Sequence, residues 1–264
     1  MHPRRSLVFA LSLLTFSCVA TAGAAPSARC EAVASAAVSE SNQQALRAGA
    51  TKPAAALDID VDVHRNDRLA LDEMLRGTQA TPLRWDRVPE LVVLMPVMQY
   101  ENSKSTEYRA TAEQLSEDDA TELVNDLTKA LLLLTDGAFR GFAAIRRETV
   151  AAGEIVNVMR PGQIVVARYN AVRDQLNTIG FGGRSTRGST IRAGSIILDA
   201  DFDRTNPTRR LLRMHELGHA LGFNHVVSRV SIMNPKIGPE PTDFDRVAAR
   251  LAFQSFQAAA SSCS

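Results

Sequence analysis

Residues 215–225 read HELGHALGFNH, and their types and spacing suit them to holding and using a metal ion. His215 and His219 are four apart, so on a helix their imidazoles leave the same face one turn apart. Glu216, beside the first of them, can reach a water bound to the same ion. Gly222 lies just past the helical run, where a residue without a Cβ can take the left-handed conformation and reverse the chain. That turn would bring His225 back towards the other two histidines. Three neutral imidazoles with one position left open are the arrangement of a catalytic zinc, because a structural site closes its fourth position. The bland reading is three satisfied core or surface histidines. HExxH alone recurs by chance, but here five positions in eleven are matched, in a chain with only five histidines.

The elements that must position these groups can be read on either side. Asn206-Pro207 is a plausible cap and first helical position, which predicts a helix over about 207–221. Leu91-Val92-Val93-Leu94-Met95 is a buried strand signal, expected to end at Pro96. Ser116 reads as an N-cap, with Glu117, Asp118 and Asp119 in the first turn, where acids favour the helix dipole. Leu123, Leu127, Leu131 and Leu134 then continue one long amphipathic helix towards Gly137. Further strands are expected at about 142–146, 164–169 and 195–199, the last two separated by a glycine-rich stretch from Gly180 to Gly194. Strand, helix and more strands in this order predict an α/β fold, a sheet with helices packed on it. No internal repeat is visible.

At 264 residues, 45% hydrophobic and 22% charged, the chain suits one good-sized domain plus an extension. A formal net charge of +1 gives no electrostatic case for nucleic acid or an anionic membrane. Residues 1–24 read as an export signal: Arg4 and Arg5, an apolar run from Leu7 to Val19, then Ala22-Gly23-Ala24. The run is too short to span a bilayer, so no stable membrane anchor is expected and the protein should be secreted or periplasmic. Loss of Cys18 with the signal leaves Cys30 and Cys263, which an oxidising compartment should join. Closing so long a loop would contribute about 4–5 kcal/mol in the chain-entropy model. Residues 25–84 lack a sustained core pattern and read as an N-terminal extension, either a pro-segment or a strap over residues 85–264.

HELGHALGFNH resembles the HExxHxxGxxH signature of the metzincin metalloendopeptidases. Ser231-Ile232-Met233-Asn234-Pro235 is similar to the methionine-containing turn of that clan, and its short distance from His225 is closest to the matrixin branch. The resemblance implies a twisted mixed sheet with a long packed helix, a zinc-binding active-site helix, a Met-turn and a C-terminal helix over about 85–255. It implies one catalytic Zn2+ on His215, His219 and His225, Glu216 as general base, and Met233 as an apolar floor. Pro235 stands where other branches place a tyrosine, so no tyrosine switch is expected, and Cys30 lies in no cysteine-switch sequence. An extended peptide would pair with an edge strand, expected within Gly183–Asp199, and Asn234–Asp243 would wall the main specificity pocket.

Expected partners are therefore protein or peptide substrates, acted on by a monomer. Two other functions fit the same residues: a catalytically silent binding module of this fold, and a zinc amidase acting on a non-protein amide such as a cell-wall cross-link. Asp199, Asp201 and Asp203 could serve Ca2+, since hard cations take carboxylate oxygens, or could simply be acids of a solvated loop. Asp58, Asp60 and Asp62 raise the same question more weakly, and His64 reads as a surface residue.

Overall fold

The computed structural model describes residues 65–101 and 105–261. The residues read as an export signal, the two cysteines expected to pair (Cys30 and Cys263), Asp58, Asp60, Asp62 and His64 lie outside the described residues. Six helices and nine strands are described: α1 Arg65–Arg76, β1 Arg84–Trp85, β2 Glu90–Leu94, β3 Pro96–Gln99, β4 Glu107–Gln114, α2 Glu117–Leu134, β5 Ile145–Glu148, β6 Ile155–Asn157, β7 Gln163–Asn170, α3 Val172–Leu176, β8 Gly180–Arg187, β9 Thr190–Asp199, α4 Ala200–Thr205, α5 Arg209–Leu221 and α6 Asp243–Ser261. All nine strands join one mixed sheet. This is an α/β architecture, as the order of elements suggests.

The middle of the sheet is parallel: β2 pairs with β7, and β7 with β9. Parallel strands are covered on both faces, which explains why Leu91 to Leu94 and Ile164 to Tyr169 are buried at every position. Successive residues supply different cores. Leu91, Val93, Ile164, Val166, Ile196 and Leu198 face one core with the long helices, while Val92, Leu94, Val165, Ala167 and Ile197 face a second. Pro96 lies just beyond the first strand segment, which ends at Leu94. It opens β3, which pairs with β4 across a register shift, and a bulge is one of the places a strand tolerates proline. The strand expected at 142–146 lies a few residues later, as β5.

Ser116 caps α2 by accepting from the Asp119 N–H at 3.0 Å, and Leu123, Leu127, Leu131 and Leu134 are buried as the spacing requires. The C-terminal helix α6 buries Ala248, Ala249 and Phe253 in the same core. The stretch from 65 to 84 contributes to the same core. Ala70, Leu71, Met74 and Leu75 of α1 are buried in the main core, as is Leu83. These residues pack with the unit that follows rather than outside it. Among the described residues, no helix is long and apolar enough to cross a membrane.

Candidate metal centre

Helix α5 carries the first two histidines. It begins two residues later than the sequence suggests, at Arg209, because Asn206 Oδ1 instead accepts from the Thr208 N–H at 2.8 Å in a local turn. Its end is as expected. Gly222 adopts φ 116°, and a Cβ there would sit 2.5 Å from the Leu83 carbonyl oxygen. Both the backbone angle and the space demand glycine. The Phe223 N–H closes back on the Gly218 carbonyl at 3.0 Å, and the reversed chain delivers His225.

His215, His219 and His225 converge. Their Nε2 atoms are 3.2 Å (215 to 219), 3.2 Å (215 to 225) and 3.0 Å (219 to 225) apart. Two donors each about 2.0–2.1 Å from one tetrahedral ion stand about 3.3–3.4 Å apart, so the spacing fits a single metal ion. The tautomers agree. His215 Nδ1 lies 2.7 Å from the Ile232 carbonyl and His219 Nδ1 lies 2.9 Å from the Phe223 carbonyl. A carbonyl can only accept, so each Nδ1 carries the proton and each Nε2 offers its lone pair inward. Burial is the first cause holding the His219 imidazole down to about 3, with neighbouring His215 adding to it. Burial also lowers His215 and His225. Neutral imidazoles are the ligating form.

Glu216 is buried, 4% exposed, and burial raises its carboxyl to about 8 against a hydrogen bond from the Gly182 backbone. A cation on the adjacent nitrogens would favour its charged form. Strand β8 runs directly over this part of α5. A Cβ on Gly180 would fall 2.7 Å from Glu216 Oε1, and one on Gly182 only 2.3 Å from the Glu216 carbonyl oxygen. The two glycines, two apart and so on one strand face, allow that approach. Gly182→Ala should therefore cost about 1–3 kcal/mol through overpacking. Gly141→Ala, with open space around it, should stay within about 0.5 kcal/mol. Denaturant midpoints of the two variants check this.

Met233 is fully buried and packs against Gly218 of α5, where a Cβ would meet its Sδ at 2.4 Å. The turn that carries it is held by Asp245 of α6, which accepts from the Ile232 N–H at 3.2 Å and from the Ser231 hydroxyl. The turn in turn holds His215 and the residue after His225: the Ile232 carbonyl meets His215 Nδ1, and the Met233 carbonyl accepts from the Val226 N–H at 3.0 Å.

The histidines and Glu216 line an open cleft of about 1070 Å³, bordered by Gly180 to Gly182, by Pro235 to Ile237 and by Gly77 and Thr78. The edge strand beside it is β8. It pairs antiparallel with β9 and with no other strand among the described residues, whereas β9 is interior. The edge expected within Gly183–Asp199 thus lies earlier, at Gly180–Arg187.

The acids considered for calcium have separate partners. Asp199 caps α4 through the Phe202 N–H at 2.9 Å and pairs with Arg173. Asp203 is enclosed between Arg168 and Arg213, and Asp201 is exposed. Among the described residues, the three histidines are the one group of this kind close enough to share an ion.

Arg184, Asn224 and the arginine partners of Asp203 were not singled out from sequence, and Gly180 and Gly182 entered only as part of a glycine-rich stretch. Only the alternate glycines carried a local signal, since glycine within a strand marks a close approach of another backbone. No family model matches the chain, and no curated protein matches it.

Proposed function

We propose that the protein is a zinc-dependent endopeptidase. One observation carries the reading: three inward-facing imidazole nitrogens 3.0–3.2 Å apart share a cleft with a buried glutamate and the free edge of an antiparallel strand. The metzincin-like order of HELGHALGFNH and the methionine turn supports peptide bonds as the target. His215, His219 and His225 would hold the ion, for which a set of neutral imidazoles is well suited. Zinc bound there supplies a Lewis acid for the scissile carbonyl and lowers the pKa of a water towards neutrality.

The remaining work falls to the chain. An extended peptide adds to the free edge of β8 by main-chain pairing, which gives affinity with little sequence preference, while side-chain pockets give selectivity. Pro235, Lys236 and Ile237 also line the cleft. Glu216 accepts a proton from the water as its oxygen attacks the carbonyl carbon. It then returns that proton to the amine nitrogen as the C–N bond breaks.

The expected result with purified chain is casein hydrolysis that is lost in EDTA and restored by zinc without calcium. Zinc bound at one ion per chain with casein left intact would instead favour the silent binding module or the amidase.

A further inference from the structure

Two of the three histidines are placed by a helix, but the third is not. His225 follows the C-cap of α5, in a stretch with no regular secondary structure. Something outside α5 must fix it. The residue before it, Asn224, makes three hydrogen bonds to two partners. Its backbone N–H and its Nδ2 both donate to the Met74 carbonyl of α1, at 2.8 and 3.2 Å. Its Oδ1 accepts from Arg184 Nη2 of β8 at 2.7 Å, and Arg184 Nη1 donates to the His219 and Phe223 carbonyls at 2.9 and 3.3 Å. Gly77 leaves room for the carboxamide, whose Cγ would lie 3.0 Å from a Cβ at that position.

The loop beyond is tied to the same helix. The Glu73 carboxylate accepts from the Val227 N–H at 3.2 Å and the Ser228 hydroxyl at 3.1 Å, and Asp67 pairs with Arg229.

We infer that Asn224 is a positioning residue for the metal centre, joining α1 and the edge strand β8 to the loop that presents His225. The inference rests on the metal reading of the three histidines. The carboxamide both donates and accepts, so neither a carboxylate nor a hydrocarbon can make the same set of bonds. Groups that orient a metal ligand without touching the ion typically change metal affinity about 10–100-fold when removed. Helix α1 therefore belongs to the metal centre. Any maturation that leaves a working site must cut before it.

The test is zinc transfer from the full chain to a chromophoric chelator, followed in time, with the unfolding midpoint of each zinc-free protein measured in parallel. Asn224→Ala is expected to release zinc at least about tenfold faster, with a zinc-free midpoint equal to the parent's. Arg184→Met removes the bond to the same carboxamide together with those to the His219 and Phe223 carbonyls, so the double variant should release zinc less fast than the product of the two single effects. Effects that multiply in the double variant would overturn the link through Arg184. Should Asn224→Ala not fold, Glu73→Ala carries the same test, with faster release at an unchanged zinc-free midpoint expected. Release unchanged in these variants would overturn the positioning role and leave the metal reading standing. Faster release matched by an equal loss of zinc-free stability would overturn it in favour of a general structural role. A parent chain that binds no zinc would overturn both readings.

Discussion

Glu216→Ala is expected to bind zinc as the parent chain does and to lose peptide hydrolysis by about 10²–10⁴-fold, the usual contribution of a positioned proton carrier. The separation of the two effects follows from the geometry. In the proposed centre the three Nε2 atoms would hold the ion, while Glu216 sits one residue from the first of them with its carboxylate beneath Gly180 and Gly182. Truncation removes the proposed proton carrier but leaves two of the histidines with their own anchors: Ile232 O for His215 and Phe223 O for His219. Glu216→Asp retains the charge but draws it back by one methylene, and a misplacement of about 1 Å in a reacting group can cost about 10²-fold. The order expected for hydrolysis is parent, then Asp, then Ala, at equal zinc content. Parent-like activity in Glu216→Ala would contradict the assignment of the base.

Asp203→Ala should have the largest effect on stability. Its carboxylate is wholly buried and accepts from Arg168 Nε at 2.8 Å, Arg213 Nε at 2.7 Å and Arg213 Nη2 at 2.9 Å. Arg213 also reaches Asp126 at 2.7 Å and Glu122 at 3.2 Å, and Arg168 reaches Asp119 at 3.1 Å. The cluster thus joins β7, α2 and α4 to the start of the helix that carries His215. Burial works against the Arg213 charge, yet its bonds to Asp203 and Asp126 outweigh that and raise it above the ordinary arginine range. Removing Asp203 takes away the one fully buried carboxylate that the two buried guanidinium groups share and leaves them only partners nearer the surface, and breaking a buried pair costs about 3–5 kcal/mol. For a chain of this size, that corresponds to a fall in Tm of roughly 6–20 °C. A loss below about 1 kcal/mol would show that Asp119, Asp126 and Glu122 suffice alone.

The metal centre and the fold differ in how far the sequence exposes them. HELGHALGFNH is legible because ligand spacing, helix period and a left-handed glycine are all local constraints. Helix α2 is legible for the same reason, through Ser116 and the leucine spacing. Strand β8 is not, because Gly180-Phe181-Gly182-Gly183 has no apolar alternation. What selects its glycines is the approach of α5, a contact made only in the folded chain. Asp199, Asp201 and Asp203 illustrate the same limit. Their alternation suggests one shared cation, but the chain turns helical after Asp199, and distant arginines decide what Asp203 does. Helix α1 did carry a pattern, in Ala70, Leu71, Met74 and Leu75. It is short and set among charged residues, and its partners lie some 150 residues further on, so its place beside Asn224 could not be read locally.

The central claim is that this constellation cuts peptide bonds, and a peptide library tests it most directly. Purified zinc-loaded chain should cut internal peptide bonds, with the new termini identified by mass spectrometry. No cuts should appear with the zinc-free chain or with Glu216→Ala. A chain that holds one zinc ion yet leaves every peptide in a diverse library intact would contradict the account.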